Sequence, residues 1–526
     1  MHDLLADPLI RLRLADGTAA AMSLPEVYEA LTADAVAAFP ALRPHQRHAW
    51  HAFLAQLGVI AIERSGLSAT PRTAAEWRAV LRELTAVFGA DEPWQLIVED
   101  PAVPAFMQCP APAGFRAYRG RAATPDDLDI LVTAKNHDVK RGVAVSGRPD
   151  DWVFALIDLQ TMAGFLGAGN YGIARMNGGF SARPCLGLAP AEGGPGAHLL
   201  HDMRRMLEGR NALLDRNSEY FRSRNGVALL WLEAWDGATA LDLRALDPYF
   251  IEICRRVRLR AEEGRIVAWT AASKTARVAA KEAHGNLGDF WTPIGVKDGK
   301  ALSLSSVGFR YDRLAKLILD RDSFALPSAM QVGTARTARW RVVARGVAGG
   351  QGKTDGYHER NDIAFGHRTT VAFGRREERD ALARIAEAQV EEIREVQGAL
   401  GFGIAVAASG GDLEDLTRAD RMHANPYARR LDEAVDSRFF EFLERRFLAA
   451  DDAATAGARV DFARNMIKTA LNLLGEAVET VPCQAVRRHR ARSRAFSAFH
   501  SRLRRPQGVF SDQPEIFQVQ ETDNAA

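Results

Sequence analysis

From about residue 375 the chain falls into helical step: Leu382, Ile385, Gln389, Ile393, Val396 and Leu400 recur three or four apart. Side chains at that spacing share one face of an α-helix. A second such face carries Phe462, Met466, Ala470, Leu473 and Ala477. Between them lies a phenylalanine-rich helix around Val435, Phe439, Phe442 and Phe447, and a last helix is expected from about Cys483 to Arg505. Four amphipathic helices with moderate connections bury their apolar faces most economically in a four-helix bundle, here over 369–505. Beyond it, 506–526 contains Pro506, Gly508 and Pro514 and ends ETDNAA, the composition of a flexible tail.

Upstream the texture differs. Leu9 to Leu14 alternates apolar and basic residues, Ala15-Asp16-Gly17 supplies a turn, and Ser23 caps a helix with Pro25 in its first turn and Glu26 three residues on. Residues 43–66 and 72–89 read as further helices. From about 95 to 365 the pattern is irregular, with short strand-like runs at Val227–Leu232, Ile266–Thr270 and Trp340–Val343 among many glycines and prolines. Such a stretch predicts mixed α/β structure with long loops. The expected class is α+β: a large irregular mixed α/β domain over 1–368, followed by the bundle. The full 526 residues exceed one ordinary core.

Net charge is only +2, so any nucleic-acid role must come from local clustering. Cys109, Cys185, Cys254 and Cys483 are far apart and form no CxxC pair, which argues against a disulfide scaffold or a sequence-local zinc site. No window reaches about 18 uninterrupted apolar residues, and the strongest candidate, Val227–Trp235, is too short to span a bilayer. A cytoplasmic protein with no membrane partner is expected, with neither cofactor nor metal.

Several motifs invite enzymatic readings. Gly167-Ala168-Gly169-Asn170-Tyr171-Gly172 contains a literal GxGxxG, but Gly178, Gly179 and Pro184 oppose the helix that a dinucleotide site requires. What remains is a plain surface turn, or a loop whose bare backbone approaches a partner. Gly349-Gly350-Gln351-Gly352-Lys353-Thr354 imitates a P-loop, yet the glycine needed five positions before Gly352 is Val347. A flexible loop presenting Gln351 and Lys353 is expected instead. Asn136-His137-Asp138 offers one His-Asp pair. Lys135, Lys140 and Arg141 flank it, which suits a phosphate-binding loop better than a metal centre. His284-Gly285-Asn286 and His358-Glu359-Arg360-Asn361 lack supporting ligand spacing. The last helix carries Arg487, Arg488, Arg490, Arg492 and Arg494, and no acidic residue falls between 487 and 505. That face favours phosphate or an acidic neighbour over simple solvation.

Taken in order along the chain, these pieces resemble the CasA family, the large subunits of type I-E CRISPR Cascade complexes. Asp7-Pro8-Leu9-Ile10 with the Asp16-Gly17 turn is similar to that family's start. So are Phe106-Met107-Gln108, the stretch Gly164–Gly179, the segment Leu246–Glu252 with the basic Cys254–Arg260 after it, and Gly-Gln-Gly-Lys-Thr followed by Tyr357-His358-Glu359-Arg360. The resemblance implies a non-catalytic subunit, partnered by guide RNA, other Cascade subunits and double-stranded target DNA. Such a subunit recognises the protospacer-adjacent motif, promotes duplex opening and recruits a helicase–nuclease. It further implies DNA-binding roles for Gly167, Gly169, Asn170, Tyr171 and Gly172 as a glycine loop, for Gln351 as a wedge with Lys353 beside it, and for Lys297 as a lysine finger, with Lys300 nearby. Lys135, Asn136, His137, Lys140 and Arg141 would contact guide RNA and a neighbouring subunit. Some family members carry CxxC pairs able to hold zinc, which this chain lacks. The competing readings are a metal-dependent nuclease or P-loop-like NTPase, and a bundle-based scaffold with no DNA contact.

Overall fold

Ser23 ends the first hairpin and begins the first helix. Strands Ile10–Leu14 and Ala19–Met22 pair antiparallel, Ile10 opposite Met22, and helix α1 (Leu24–Thr32) follows. The Ser23 backbone N–H and hydroxyl both donate to the Glu26 carboxylate at 2.7 Å, satisfying one of the donors a helix start leaves open. The protein is described by a computed structural model covering residues 2–129, 145–221, 225–333, 337–350 and 353–517. It divides into two compact units, Met1–Phe309 with Arg321–His367, and Arg310–Asp320 with Arg368–Ala526.

The first unit is built around α2 (Arg47–Arg64), which is buried on every side from His48 to Ile62. A helix without a polar face belongs at the centre of a domain. Packed against it are α4 (Pro149–Met162) and α5 (Pro195–Arg216), while α3 (Ala74–Glu83) lies on α1. Both α4 and α5 fall in the stretch that the sequence marks only as irregular. Almost every residue of α4 is buried, so it carries no alternation of faces to announce it. The N-terminus of α5 is fastened by Asp34, whose carboxylate accepts from the N–H groups of Gly194 and Ala197.

The strands form small sheets. Strand Arg339–Gly350 is the longest, and its two halves pair differently. Trp340 to Arg345 face Pro190 to Cys185 on one side, while Ala344 to Gly350 pair with Arg360 to Lys353 in a hairpin. The sequence expectation of a flexible loop at Gly349–Thr354 is corrected here: Gly349 and Gly350 are paired strand residues opposite Thr354 and Lys353. Among the described residues the loop is followed by strand Lys353–Arg360, where a P-loop has a helix.

The second unit is helical. α8 (Arg376–Ala408) packs on α10 (Asn425–Asp436), α11 (Phe439–Phe447), α12 (Asp452–Thr480) and α13 (Arg488–Leu503). The short α6 (Tyr311–Leu319), α7 (His367–Ala372) and α9 (Arg418–Met422) complete the helices of this part of the chain. The phenylalanine-rich segment is two helices, broken at Ser437-Arg438. α6 also joins the bundle although it lies far upstream, with the Tyr311 hydroxyl donating to Asp432 and its N–H to Asp436. α8 and α13 approach closely because small residues line the contact: Gly403 leaves only 3.0 Å between an added Cβ and Ala495 O.

The segment after 505 also departs from expectation. Through Phe517 it is docked and not a loose tail, because Phe510 and Ile516 are buried, Arg464 donates to Glu515 O, and Arg459 donates to Val509 O and Asp512. Arg459 reaches back to Glu392, a carboxylate buried on α8 that also takes both Nη atoms of buried Arg446. Deleting one partner of a buried pair strands the other's charge. Glu392→Ala is therefore expected to cost about 3–5 kcal/mol, read as a lowered denaturant midpoint, with increased protease cleavage after residue 505.

Candidate nucleic-acid interface

Residues 163–184 cross the first unit without helix or strand, so their backbone polar groups need other partners. The two limbs touch at an Ala163–Ala182 bridge and at Phe165 N–H to Gly179 O. At the tip, Asn170 N–H donates to Gly167 O and Leu166 N–H to Asn170 O, closing a turn. Gly167 and Gly169 hold φ of +106° and +89°, which side-chain-bearing residues rarely adopt. Gly172 is glycine for a different reason: a Cβ there would stand 2.7 Å from the Gly164 backbone. Ala168 and Asn170 are exposed, and Tyr171 is half-buried beside Phe165.

Charged side chains buried beneath the loop hold its backbone. Arg255 donates to the carbonyls of Tyr171 and, at 2.9 Å, Gly164. Arg175 pairs with Glu252 at 3.1 Å with both side chains 3% exposed, and Glu252 also accepts from the N–H of Ala174 at 2.7 Å. At the returning limb Arg183 makes a two-pronged contact with Asp289, at 2.6 and 2.5 Å, and Thr292 donates to the same carboxylate. Burial alone would raise the Asp289 carboxyl, but the facing Arg183 guanidinium brings it below its ordinary value. Gln160 on α4 orients Arg255, accepting from the N–H groups of Cys254 and Arg255 and donating to Arg255 O. Arg175, Glu252 and Arg255 fall in stretches the sequence singles out by resemblance, though not for this role, while Gln160, Arg183 and Asp289 lie in no motif. The available signal is a glutamine or charge inside an otherwise apolar segment, such as Gln160 in α4 or Glu252 after Phe250-Ile251.

Two further sequence-selected elements meet this loop. Gly349, near the end of the hairpin, lies so close to Phe180 O that a Cβ would collide with it, and Ala182 N–H donates to Val347 O. Gln351 lies outside the described residues, between paired Gly350 and Lys353. Lys297 is exposed on the turn from Gly295 to Lys300, where Gly299 N–H donates to Gly295 O and Lys300 N–H to Asp298. That turn leads straight into Ala301, whose carbonyl accepts from Asn177 on the loop, and Asn177 also bonds Ser303 and Gly179 N–H. Glycine loop, hairpin end and lysine turn thus share the wall formed by residues 177–182. Alongside runs a groove of about 1060 Å³ between Phe165–Gly178 and Thr275–His284, with Arg244 and Lys281 among its lining residues.

Other elements fare differently. Lys135, Asn136, His137, Lys140 and Arg141 lie outside the described residues, as does Asp138. The chain entering that segment is anchored by Asp129, which takes Arg43 at 3.0 Å and His45 at 2.7 Å. Glu359 is committed to Arg345 and Arg47, and the His358 ring abuts Gly308. His284 closes a short helical turn with φ +47°. In the second unit Arg487, Arg488, Arg490, Arg492 and Arg494 are all exposed on α13 and the turn before it, while Ala491, Ala495 and Phe499 face inward. The face is less purely positive than its own sequence, because Glu479 pairs with Arg492 at 2.9 Å, and Arg494 donates to Gly411 O just past the end of α8. Among the described residues the only group of three side chains placed to ligate one ion is His51, His198 and Asp202.

No family model and no curated protein matches the sequence. Solved structures match the fold along nearly the whole chain. CRISPR-associated protein Cse1 from Acidimicrobium ferrooxidans aligns at 15% identity and TM-score 0.64, covering 96% of this chain and 98% of that one. Cse1 of Thermobifida fusca aligns at 16% identity and TM-score 0.64, covering 95% and 97%. CasA of Thermus thermophilus aligns at 15% identity and TM-score 0.61, covering 95% and 99%. The chain has the Cse1/CasA fold.

Because Arg175 is buried, Glu252→Ala is expected to cost about 3–5 kcal/mol. Hydrogen exchange should then rise across 163–184 before global unfolding does. Gly169→Asp is a structural change as well as a surface one, since a Cβ there meets Ala272 Cβ at 2.9 Å. Exposed Asn170 is the position that probes the loop tip alone.

Proposed function

We propose that this chain is the large subunit of a type I-E CRISPR Cascade surveillance complex. In this reading it recognises the protospacer-adjacent motif in double-stranded DNA, promotes duplex opening for guide-RNA pairing and recruits a helicase–nuclease. It works in the cytoplasm, as a non-enzymatic partner of guide RNA and the other Cascade subunits. The observation that carries the reading is the end-to-end likeness to Cse1/CasA structures, and it is supported by the meeting of three sequence-selected elements on one wall. Among the described residues no helix is long and apolar enough to cross a membrane.

The chemistry of the wall suits DNA. A turn of Gly167, Ala168 and Asn170 can lie against a groove where a bulkier tip could not. The exposed Lys297 ammonium is available for phosphate or base edges. Minor-groove edges separate A·T from G·C and little else, so backbone, one lysine and one glutamine would accept several motifs. Lys135, Asn136, His137, Lys140 and Arg141 are assigned to guide RNA and a neighbouring subunit. Sequence itself is read by guide pairing. The deciding experiment is assembly of the full chain with guide RNA and the remaining Cascade subunits, then gel shifts on motif-bearing and scrambled duplexes. Equal binding to both overturns the reading.

The wedge assignment gives a kinetic test. Gln351 follows the paired Gly349 and Gly350 at the end of the strand that begins at Arg339. Parting a base step costs a few kcal/mol, which flanking contacts must offset, and a neutral amide can bond base edges without burying charge. Gln351→Ala should slow R-loop formation on intact duplex by about tenfold or more, a loss of roughly 1.4 kcal/mol of transition-state stabilisation. It should have little effect on duplex already unpaired beside the motif. Equal loss on both substrates rejects the wedge.

The basic helix gives an equilibrium test. Arg487, Arg488 and Arg492 are exposed, the latter two bonded to Glu479, whereas Arg490 and Arg494 donate to Gly411 O. Replacing the first three by Ala should weaken assembly or target binding regardless of sequence. For every phosphate that loses its arginine, the slope of log K against log salt should flatten by about one unit. An unchanged slope with unchanged assembly would mark the face as merely solvated.

A further inference from the structure

The helices α2 and α5 bring together two imidazoles and one carboxylate deep in the first unit. His51 Nε2 lies 2.9 Å from Asp202 Oδ2, and His198 Nε2 lies 3.5 Å from the same oxygen. The two rings stack with centroids 3.9 Å apart. Asp202 is fully buried and His198 is 9% exposed. As a hydrogen-bonding arrangement this is incomplete: His198 Nε2 and Asp202 Oδ1 are buried without any partner. A buried polar atom without a partner costs about 1–3 kcal/mol, so the orphaned His198 nitrogen beside the paired His51 and Asp202 points to a ligand.

We propose that His51, His198 and Asp202 form a binding site for one divalent zinc ion. Two imidazole nitrogens and a carboxylate oxygen are a recurrent zinc donor set. At metal–ligand distances of about 2.0–2.1 Å, tetrahedral donors stand roughly 3.3 Å apart, close to the separations of 2.9 and 3.5 Å found here. Metal entry replaces the His51–Asp202 hydrogen bond, fans the stacked rings, and releases to solvent whichever proton those groups share. The carboxylate is already oriented from outside the set, because Trp291 Nε1 donates to Asp202 Oδ2 at 2.8 Å.

The fourth position is provided for. A small void bounded by His48, Cys185, Trp291 and Arg345 touches both histidines. It gives the centre of a water-sized sphere about 10 Å³, room for one water. Both nitrogens of His48 are also buried without partners on its wall. His51 and His198 further line a second pocket of about 390 Å³, which supplies the entry path. No local spacing announces the site, because His51 and Asp202 are 151 residues apart. Only the one-turn spacing of His198 and Asp202 on α5 is readable in sequence. The bound ion would staple α2 to α5 and, through Trp291, to the segment whose Asp289 holds Arg183.

The test uses the full chain, stripped with a chelator and titrated with zinc chloride alone. One zinc per chain by elemental analysis is expected, with a higher thermal midpoint in zinc and none of that rise in magnesium. His51→Gln and His198→Gln should each weaken zinc binding about 100-fold or more, and His48→Gln much less. Cobalt(II) in the parent should give the intense visible bands of a four-coordinate site. Absence of stoichiometric zinc, unchanged affinity in both histidine variants, or only the weak bands of six-coordinate cobalt overturns the site. The cobalt spectrum of the parent decides even if a variant does not fold.

Discussion

Arg175, Arg183 and Arg255 are the fixed points on which the proposed interface depends. A stretch of 22 residues without helix or strand crosses the first unit and still holds one shape. Beyond its own turn and cross-limb hydrogen bonds, its backbone is held from below by Arg255, which bonds the Tyr171 and Gly164 carbonyls, and by Glu252, which takes the Ala174 N–H. Arg175 and Arg183 are locked to Glu252 and Asp289. Buried ion pairs seldom add net stability compared with well-packed apolar groups. Their value here is directional. Each fork accepts one geometry, and the glycine turn, hairpin end and lysine turn inherit their relative placement from it.

Much of the fold was legible from residue spacing. The first hairpin and its capped helix follow from Leu9–Glu26, and the bundle follows from the three- and four-residue steps after 375. What escaped was what lacks periodicity. α4 is buried all round, so hydrophobic alternation cannot mark it, and α5 mixes glycine, histidine and arginine across its turns. α6 belongs with a bundle that begins some fifty residues later, a long-range association that no local pattern encodes.

The site was legible in part. The glycine pattern at 167–172 is a true conformational signal, although its glycines serve different needs: positive φ at Gly167 and Gly169, close backbone crossing at Gly172. The flanks of the apparent P-loop are ordered strand where sequence suggested a flexible loop. Charge along one helix also misleads when read alone. The arginines of α13 look unopposed in sequence, while Glu479 and the carbonyl of Gly411 meet some of them in space. The proposed zinc site is the extreme case, since only folding makes neighbours of His51 and Asp202.

The long hairpin has a mechanical consequence. Its strand is held on the Cys185–Pro190 side only as far as Arg345. From there to Gly350 it extends about 17 Å at strand rise, supported by its partner strand and by the props at Val347 and Gly349. That is a cantilever with its fulcrum on Phe180–Ala182. Any load taken at the tip is transmitted to the returning limb of the glycine loop, and beyond it to Arg183. The Ala182–Val347 hydrogen bond and the Gly349–Phe180 contact are the points through which hairpin and loop would respond to a load together.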